Sequence, residues 1–150
     1  MRTKLYDRCL EVLNDNKSTL NFKLKKISEI LQKNIEYYHW VGFYFLDKNK
    51  ENLILGPFSG KDTDHKTIPV GRGICGQVAL SNRNFVVQDV SKESNYLSCN
   101  INVKSEIVIP IFKNKENIGQ IDIDSNLLSP FTKKDEIFLE KLCIEISKIL

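Results

Sequence analysis

Apolar residues open this chain at helical spacing. Leu5, Cys9, Leu10, Val12 and Leu13 share one face over residues 3–13, and the polar run Asn14-Asp15-Asn16-Lys17 interrupts it. Ser18 or Thr19 is placed to cap a second helix, along which Leu20, Leu24, Ile27, Ile30, Leu31 and Ile35 recur every three or four residues. The period then changes. Trp40 to Leu46 is short and aromatic-rich, and Leu53-Ile54-Leu55 follows a polar turn over Asp47 to Asn52 and stops at Gly56-Pro57; together they predict a hairpin. Thr67 to Val70 predicts a brief edge strand, because Pro69 has no N–H to give a ladder. A short helix is expected over Gly76 to Leu80 and a strand over Phe85 to Val87. A second hairpin is expected from Ser105–Phe112 and Asn117–Asp122, turning at Lys113 to Glu116. Thr132, with Asp135 three residues on, caps a last helix whose apolar stripe is Ile137, Phe138, Leu142, Ile146 and Leu150. Strands in the middle and helices at both ends predict an α+β fold, a sheet with helices packed on it, filling residues 1–150 as one domain.

Composition narrows the partners. The chain has 150 residues and a formal net charge of +3, so it carries a real core and no strong electrostatic bias. Its densest basic run, Lys23-Leu24-Lys25-Lys26, reads as a solvated helix face; no basic patch with interleaved aromatics predicts nucleic-acid binding. No apolar run reaches the roughly 20 residues of a membrane span, and Met1-Arg2-Thr3-Lys4 leads into an amphipathic segment rather than a signal sequence. A cytoplasmic protein is expected, with its cysteines as thiols. Cys9 and Cys143 fall on apolar helix stripes and read as packing residues.

Two other cysteines carry the chemical interest. Cys75 lies in Gly71-Arg72-Gly73-Ile74-Cys75-Gly76, at the start of a helix whose exposed N–H groups would favour a thiolate. Cys99 lies in the polar, aperiodic stretch Asn95-Tyr96-Leu97-Ser98-Cys99-Asn100. The glycines match a dinucleotide-binding spacing, but a proline-bearing strand, a short helix and flanking hairpins are the wrong context for it. Glu106, Asp122 and Asp124 follow on strands. Asp122 and Asp124 are two apart and share a side, either as a solvated face or as partners for a cation. Trp40 and Tyr44 also share a side, four apart, and either wall an apolar ligand or pack the core. A thiolate near acids is suited to attacking a small electrophile while moving a proton.

Five ordered segments resemble the GAF-domain free methionine-(R)-sulfoxide reductases: Trp40-Val41-Gly42-Phe43-Tyr44, Leu55-Gly56-Pro57-Phe58, Ile68 through Gly76, Ser105-Glu106-Ile107-Val108 and Ile121-Asp122-Ile123-Asp124-Ser125. The resemblance implies a GAF fold with a mostly antiparallel six-stranded sheet, a homodimer, no bound cofactor, and free methionine sulfoxide enclosed in the GAF pocket. It implies that Cys99 attacks the sulfoxide, that Cys75 matches the middle of three family cysteines, and that thioredoxin or another thiol is the external reductant. Glu106 is then the proton donor, with Asp122 and Asp124 meeting the substrate ammonium group and Trp40 and Tyr44 its methyl-thioether end. The family's first cysteine should fall ten residues before Cys75, where this chain has His65. Resolution then passes to Cys75 or to an external thiol, and Cys75 is expected to take over as the resolving thiol, being the one other cysteine outside the apolar helix stripes. Two other readings stay open: a non-catalytic GAF domain that senses a small ligand, and a zinc site built from His65, Cys75 and Cys99.

Overall fold

A computed structural model describes residues 2–94, 96–97 and 101–150. Cys99, the expected nucleophile, lies outside the described residues. In chain order the elements are α1 (Arg2–Leu13), α2 (Leu20–Asn34), β1 (Trp40–Leu46), β2 (Asn52–Ser59), β3 (Thr67–Pro69), α3 (Gly73–Ser81), β4 (Phe85–Val87), a 3-10 turn (Val90–Lys92), β5 (Ser105–Lys113), β6 (Glu116–Ser125) and α4 (Lys133–Ser147). The six strands form one sheet in the order β3-β2-β1-β6-β5-β4. Every pairing is antiparallel, so the glycine loop sits in no parallel βαβ unit.

Alternation along the strands separates two cores. Val41, Phe43, Ile107, Ile109, Ile111, Ile121 and Ile123 point to one face, where α1, α2 and α4 cover them with residues such as Leu24, Ile27, Leu139 and Leu142. The other face carries a smaller cluster built from Trp40, Tyr44, Leu53, Val108 and the Ile74, Cys75 and Val78 side chains of α3. Cys9 and Cys143 sit in the first core, as their helical positions predict. Burial pushes the Cys9 thiol up to about 12 and raises that of Cys143 further, so neither supplies a thiolate.

Helix ends follow their caps. Thr19 Oγ1 accepts the Phe22 N–H at 3.2 Å and starts α2. At α4, Asp135 accepts from the Thr132 N–H at 2.8 Å. Asp135 also accepts from Arg2 at 2.7 Å, Tyr37 Oη at 2.8 Å and Tyr38 Oη at 2.8 Å. One buried carboxylate thus ties α1, α4 and the entry to β1 together, and these donors outweigh its burial to keep it below the ordinary carboxylate value.

Several elements differ from the pattern-based expectation. Gly56-Pro57 does not end β2. The register runs Gly42↔Phe58 and then Tyr44↔Leu55, so Gly56 and Pro57 together oppose Phe43 in a bulge, where a missing N–H is tolerated. β3 is the expected edge strand. β6 continues three residues past Asp122, and α3 begins at Gly73 rather than Gly76. Leu20 and Ile137 are exposed; α2 buries its expected stripe from Leu24 onward, and α4 turns Leu139 inward in place of Ile137. No helix among the described residues is long and apolar enough to cross a membrane.

Candidate functional site

The smaller core contains the acids. On β6, Gln120, Asp122 and Asp124 occupy every second position and so face α3 rather than α1, α2 and α4. β1 pairs Trp40 with Asp124, Gly42 with Asp122 and Tyr44 with Gln120. β5 pairs Glu106 with Asp124 and Val108 with Asp122. Adjacent antiparallel strands therefore set Glu106 directly beside Asp124, with Asp122 one pleat further along. Glu106 is 5% exposed, Asp122 1% and Asp124 2%, which removes the solvated-face reading of these acids.

Cys75 enters from above. It lies in the first turn of α3, and its thiol donates to Glu106 Oε1 at 3.5 Å. Cys75 Sγ, a Glu106 oxygen and an Asp122 oxygen all lie within 4.8 Å of one another. The glycine loop makes this approach possible. Gly73 has φ +67°, and a Cβ there would meet Leu97 Cγ at 2.9 Å. A Cβ on Gly76 would meet the Pro69 carbonyl oxygen at 2.7 Å, so that glycine seats α3 on the end of β3. Leu97, two residues before Cys99, packs against Gly73.

The electrostatics reverse one expectation. Burial raises the Cys75 thiol far above its ordinary value, and the Asp122 and Glu106 charges add to the rise. The helix start does not deliver a thiolate here, because burial, with the acids beside it, outweighs a partial dipole charge. Cys75 is a neutral hydrogen-bond donor. Burial also pushes Asp124 well above the carboxylate range, reinforced by the charge of Asp122. Asp122 is raised by its own burial, while Glu106 and Cys75 act in the opposite direction.

Both Asp122 oxygens lack a conventional donor, even though Glu106 and Cys75 lie close. Those neighbours are acids themselves. They can donate to Asp122 only while they keep a proton. Neither Asp122 nor Asp124 has an ion-pair partner among the described residues. Such a cluster retains protons or takes up a cation.

A cavity of about 430 Å³ opens at the Asp124 end. Trp40, Asp124, Val103, His39 and the Lys61–Asp62 loop contribute to its wall. Trp40 is held on three sides. Its Nε1 donates to the Lys61 carbonyl at 3.0 Å, its ring stacks on Phe58 at 5.4 Å between centroids, and it lies over Gly42, where a Cβ would come within 2.6 Å of the indole. Tyr44 lies deeper, 6.4 Å from Trp40, and donates to the His65 carbonyl at 2.9 Å. Of the two aromatics expected to wall a ligand, Trp40 faces the cavity and Tyr44 supports it while holding the loop that carries His65. The cluster able to ligate a metal among the described residues is Cys75, Glu106 and Asp122, without His65.

Pattern reasoning overlooked Gln120, which is fully buried on the acidic side with neither amide atom paired. The signal was present, since Gln120-Asp122-Asp124 alternates with Gly119, Ile121 and Ile123. It also overlooked His39, whose Nδ1 accepts the Asn126 N–H at 3.0 Å and fixes the chain just beyond Asp124. No sequence spacing marks that contact.

The GAF domain family model matches residues 24–150. The chain is 36% identical to free methionine-R-sulfoxide reductase of Escherichia coli over 127 residues, which is 85% of this chain and 75% of that protein. It is 42% identical to free methionine-R-sulfoxide reductase of Saccharomyces cerevisiae over 112 residues, 73% of this chain and 62% of that protein. Among solved structures, free methionine-R-sulfoxide reductase from Neisseria meningitidis in complex with its substrate superposes with a TM-score of 0.92 at 30% identity, covering 99% of this chain and 87% of that one.

Proposed function

This chain belongs to the GAF-domain free methionine-R-sulfoxide reductase family, and we propose that it reduces free L-methionine-(R)-sulfoxide to methionine with Cys99 as nucleophile. The observation that carries the reading is the set of three buried acids, two of them without an ion-pair partner among the described residues, of which Asp124 lines a cavity walled by Trp40. An amino acid that brings its own ammonium group supplies the missing positive charge, and its methyl-thioether end suits the indole face.

The chemistry follows the residues. The Cys99 thiolate attacks the sulfoxide sulfur. Oxygen passes to Cys99 as a sulfenic acid and methionine leaves, with Glu106 providing the proton the departing oxygen requires. Cys75 donates to Glu106 and orients it. Asp124, protonated in the empty pocket, ionises against the ammonium group, and Asp122 stands behind it.

Two external thiols then restore Cys99. The first displaces the sulfenic oxygen as water and leaves a mixed disulfide; the second releases Cys99 and carries away an external disulfide. Thioredoxin or a small dithiol fits that role. The neutral, buried state of Cys75 favours this direct route over a Cys75–Cys99 disulfide. His65 stands where the family pattern has a cysteine, so it offers no third thiol. We further propose that the chain acts as one GAF domain and as a homodimer in the cytoplasm.

The test is methionine release from free (R)- and (S)-methionine sulfoxide, with dithiothreitol and separately with a thioredoxin system. Selective turnover of the R form is expected. Calorimetric binding of the R form with no methionine released by either reductant would replace this reading with the ligand-sensing one.

A further inference from the structure

We propose that Cys75, Glu106 and Asp122 form a binding site for a thiophilic divalent cation, of the Zn2+ or Cd2+ type, that closes the acidic pocket. The binding claim stands on geometry alone; its consequence for activity rests on the reductase reading above.

The geometry fits a tetrahedral centre. Zinc holds a thiolate sulfur at about 2.3 Å and a carboxylate oxygen at about 2.0 Å, so neighbouring ligand atoms stand about 3.5 Å apart. Cys75 Sγ and Glu106 Oε1 are 3.5 Å apart. One oxygen of Asp122 joins them, with all three ligand atoms within 4.8 Å. Small rotations of two carboxylates close the remaining difference, and a fourth position stays open for water.

A second observation points to a cation. Asp122 is 1% exposed, and neither of its oxygens receives a conventional hydrogen bond. A buried acceptor pair aimed only at other acids is the arrangement a metal resolves, since it replaces retained protons with one double charge. Asp124 lines the cavity and is two residues from Asp122 on the same side of β6, about 7 Å away.

The ligand set also chooses the metal. One sulfur with two carboxylates suits zinc or cadmium. It suits Ca2+ and Mg2+ poorly, because they demand six or more oxygen or water ligands. Binding forms an S–metal bond at Cys75 and releases the thiol proton, with any proton held between the carboxyls, to the buffer. The held Glu106 can then neither donate to the sulfoxide oxygen nor accept from Cys75, so zinc inhibits turnover and substrate competes with it.

The test uses the full-length protein, fully reduced and metal-stripped. Cd2+ is titrated while the sulfur-to-metal ultraviolet absorption is recorded, and zinc X-ray absorption reports the ligands. One equivalent is expected to bind with one sulfur at about 2.3 Å and oxygens at about 2.0 Å, with no response to Mg2+. Cys75→Ser should abolish the sulfur signal. Asp122→Asn, which is isosteric, should weaken binding at least tenfold while its thermal melt shows a folded protein. Cys99→Ser should bind like the parent chain.

Loss of the signal in Cys99→Ser with retention in Cys75→Ser would overturn the site, as would two sulfurs or an imidazole in the absorption spectrum. Metal binding in a protein that forms no methionine leaves this site standing and refutes only the reductase reading. Turnover with no metal bound does the reverse.

Discussion

Asp124→Asn should make the empty protein more stable and the enzyme worse. The side chain is 2% exposed and has no ion-pair partner among the described residues; burial, with the charge of Asp122, raises its carboxyl well above the ordinary 3.8. A carboxyl raised in the folded state binds its proton more tightly there than in the unfolded chain. The contribution of this carboxyl to folding stability is therefore highest below the unfolded value of 3.8, falls as pH climbs from there to the folded value, and stays low above it. The amide keeps the shape and never ionises, so the variant escapes that fall. Each 1 kcal/mol recovered raises Tm by about 2–4 °C at this chain length. The difference between variant and parent should vanish near pH 3 and grow toward neutrality. The substrate suffers in return. A charge-assisted hydrogen bond contributes about 1.5–3 kcal/mol, so KM for free methionine sulfoxide should rise by about 10- to 150-fold, with a smaller change in kcat. Thermal melts at several pH values and steady-state kinetics measure both halves. An Asp124→Asn protein that melts lower than the parent at pH 7, with KM unchanged, would refute the account of this carboxyl as a strained ammonium receptor.

Four further outcomes test the remaining assignments. Cys99→Ser should release no methionine with any reductant, while Cys9→Ala and Cys143→Ala turn over normally; near-parental activity in Cys99→Ser would remove the nucleophile. Glu106→Gln should lower the single-turnover rate by about 10²- to 10⁴-fold, the usual contribution of a general acid, with substrate affinity measured by calorimetry little changed. Cys75→Ser keeps a hydroxyl donor to Glu106, so the first methionine and dithiothreitol-driven cycling should both persist; a thioredoxin assay that stalls after one turnover would instead make Cys75 the resolving thiol. Asp135→Ala strands the Arg2, Tyr37 and Tyr38 donors and should cost about 2–4 kcal/mol by urea melt. Because Asp135 is held below the ordinary carboxylate value, that penalty is full above pH 3.8 and shrinks as pH falls through its folded value.

Local pattern alone determined much of this protein. Helical spacing and capping residues located α1, α2 and α4, because an amphipathic stripe and a Thr or Asp cap are properties of neighbours in sequence. Alternation placed Asp122 and Asp124 on the side of β6 opposite Ile121 and Ile123, and the motifs around Trp40, Cys75 and Glu106 pointed to the family. Pattern failed where a distant strand decides. Gly56-Pro57 looks like a stop until β1 supplies the bulge that accommodates it. Nothing near Cys75 in sequence announces that α3 will press its thiol against Glu106, so a helix-start thiolate was expected where the tertiary structure makes a neutral donor. Nor does spacing reveal that the three acids are buried, since the burial comes from α3 and Trp40 closing over them. Only the antiparallel register of β1, β5 and β6 sets Glu106 beside Asp124, with Asp122 one pleat along. Burial under the fold, and after it the nearness of like charges across strands, then decides which of these groups keeps its proton.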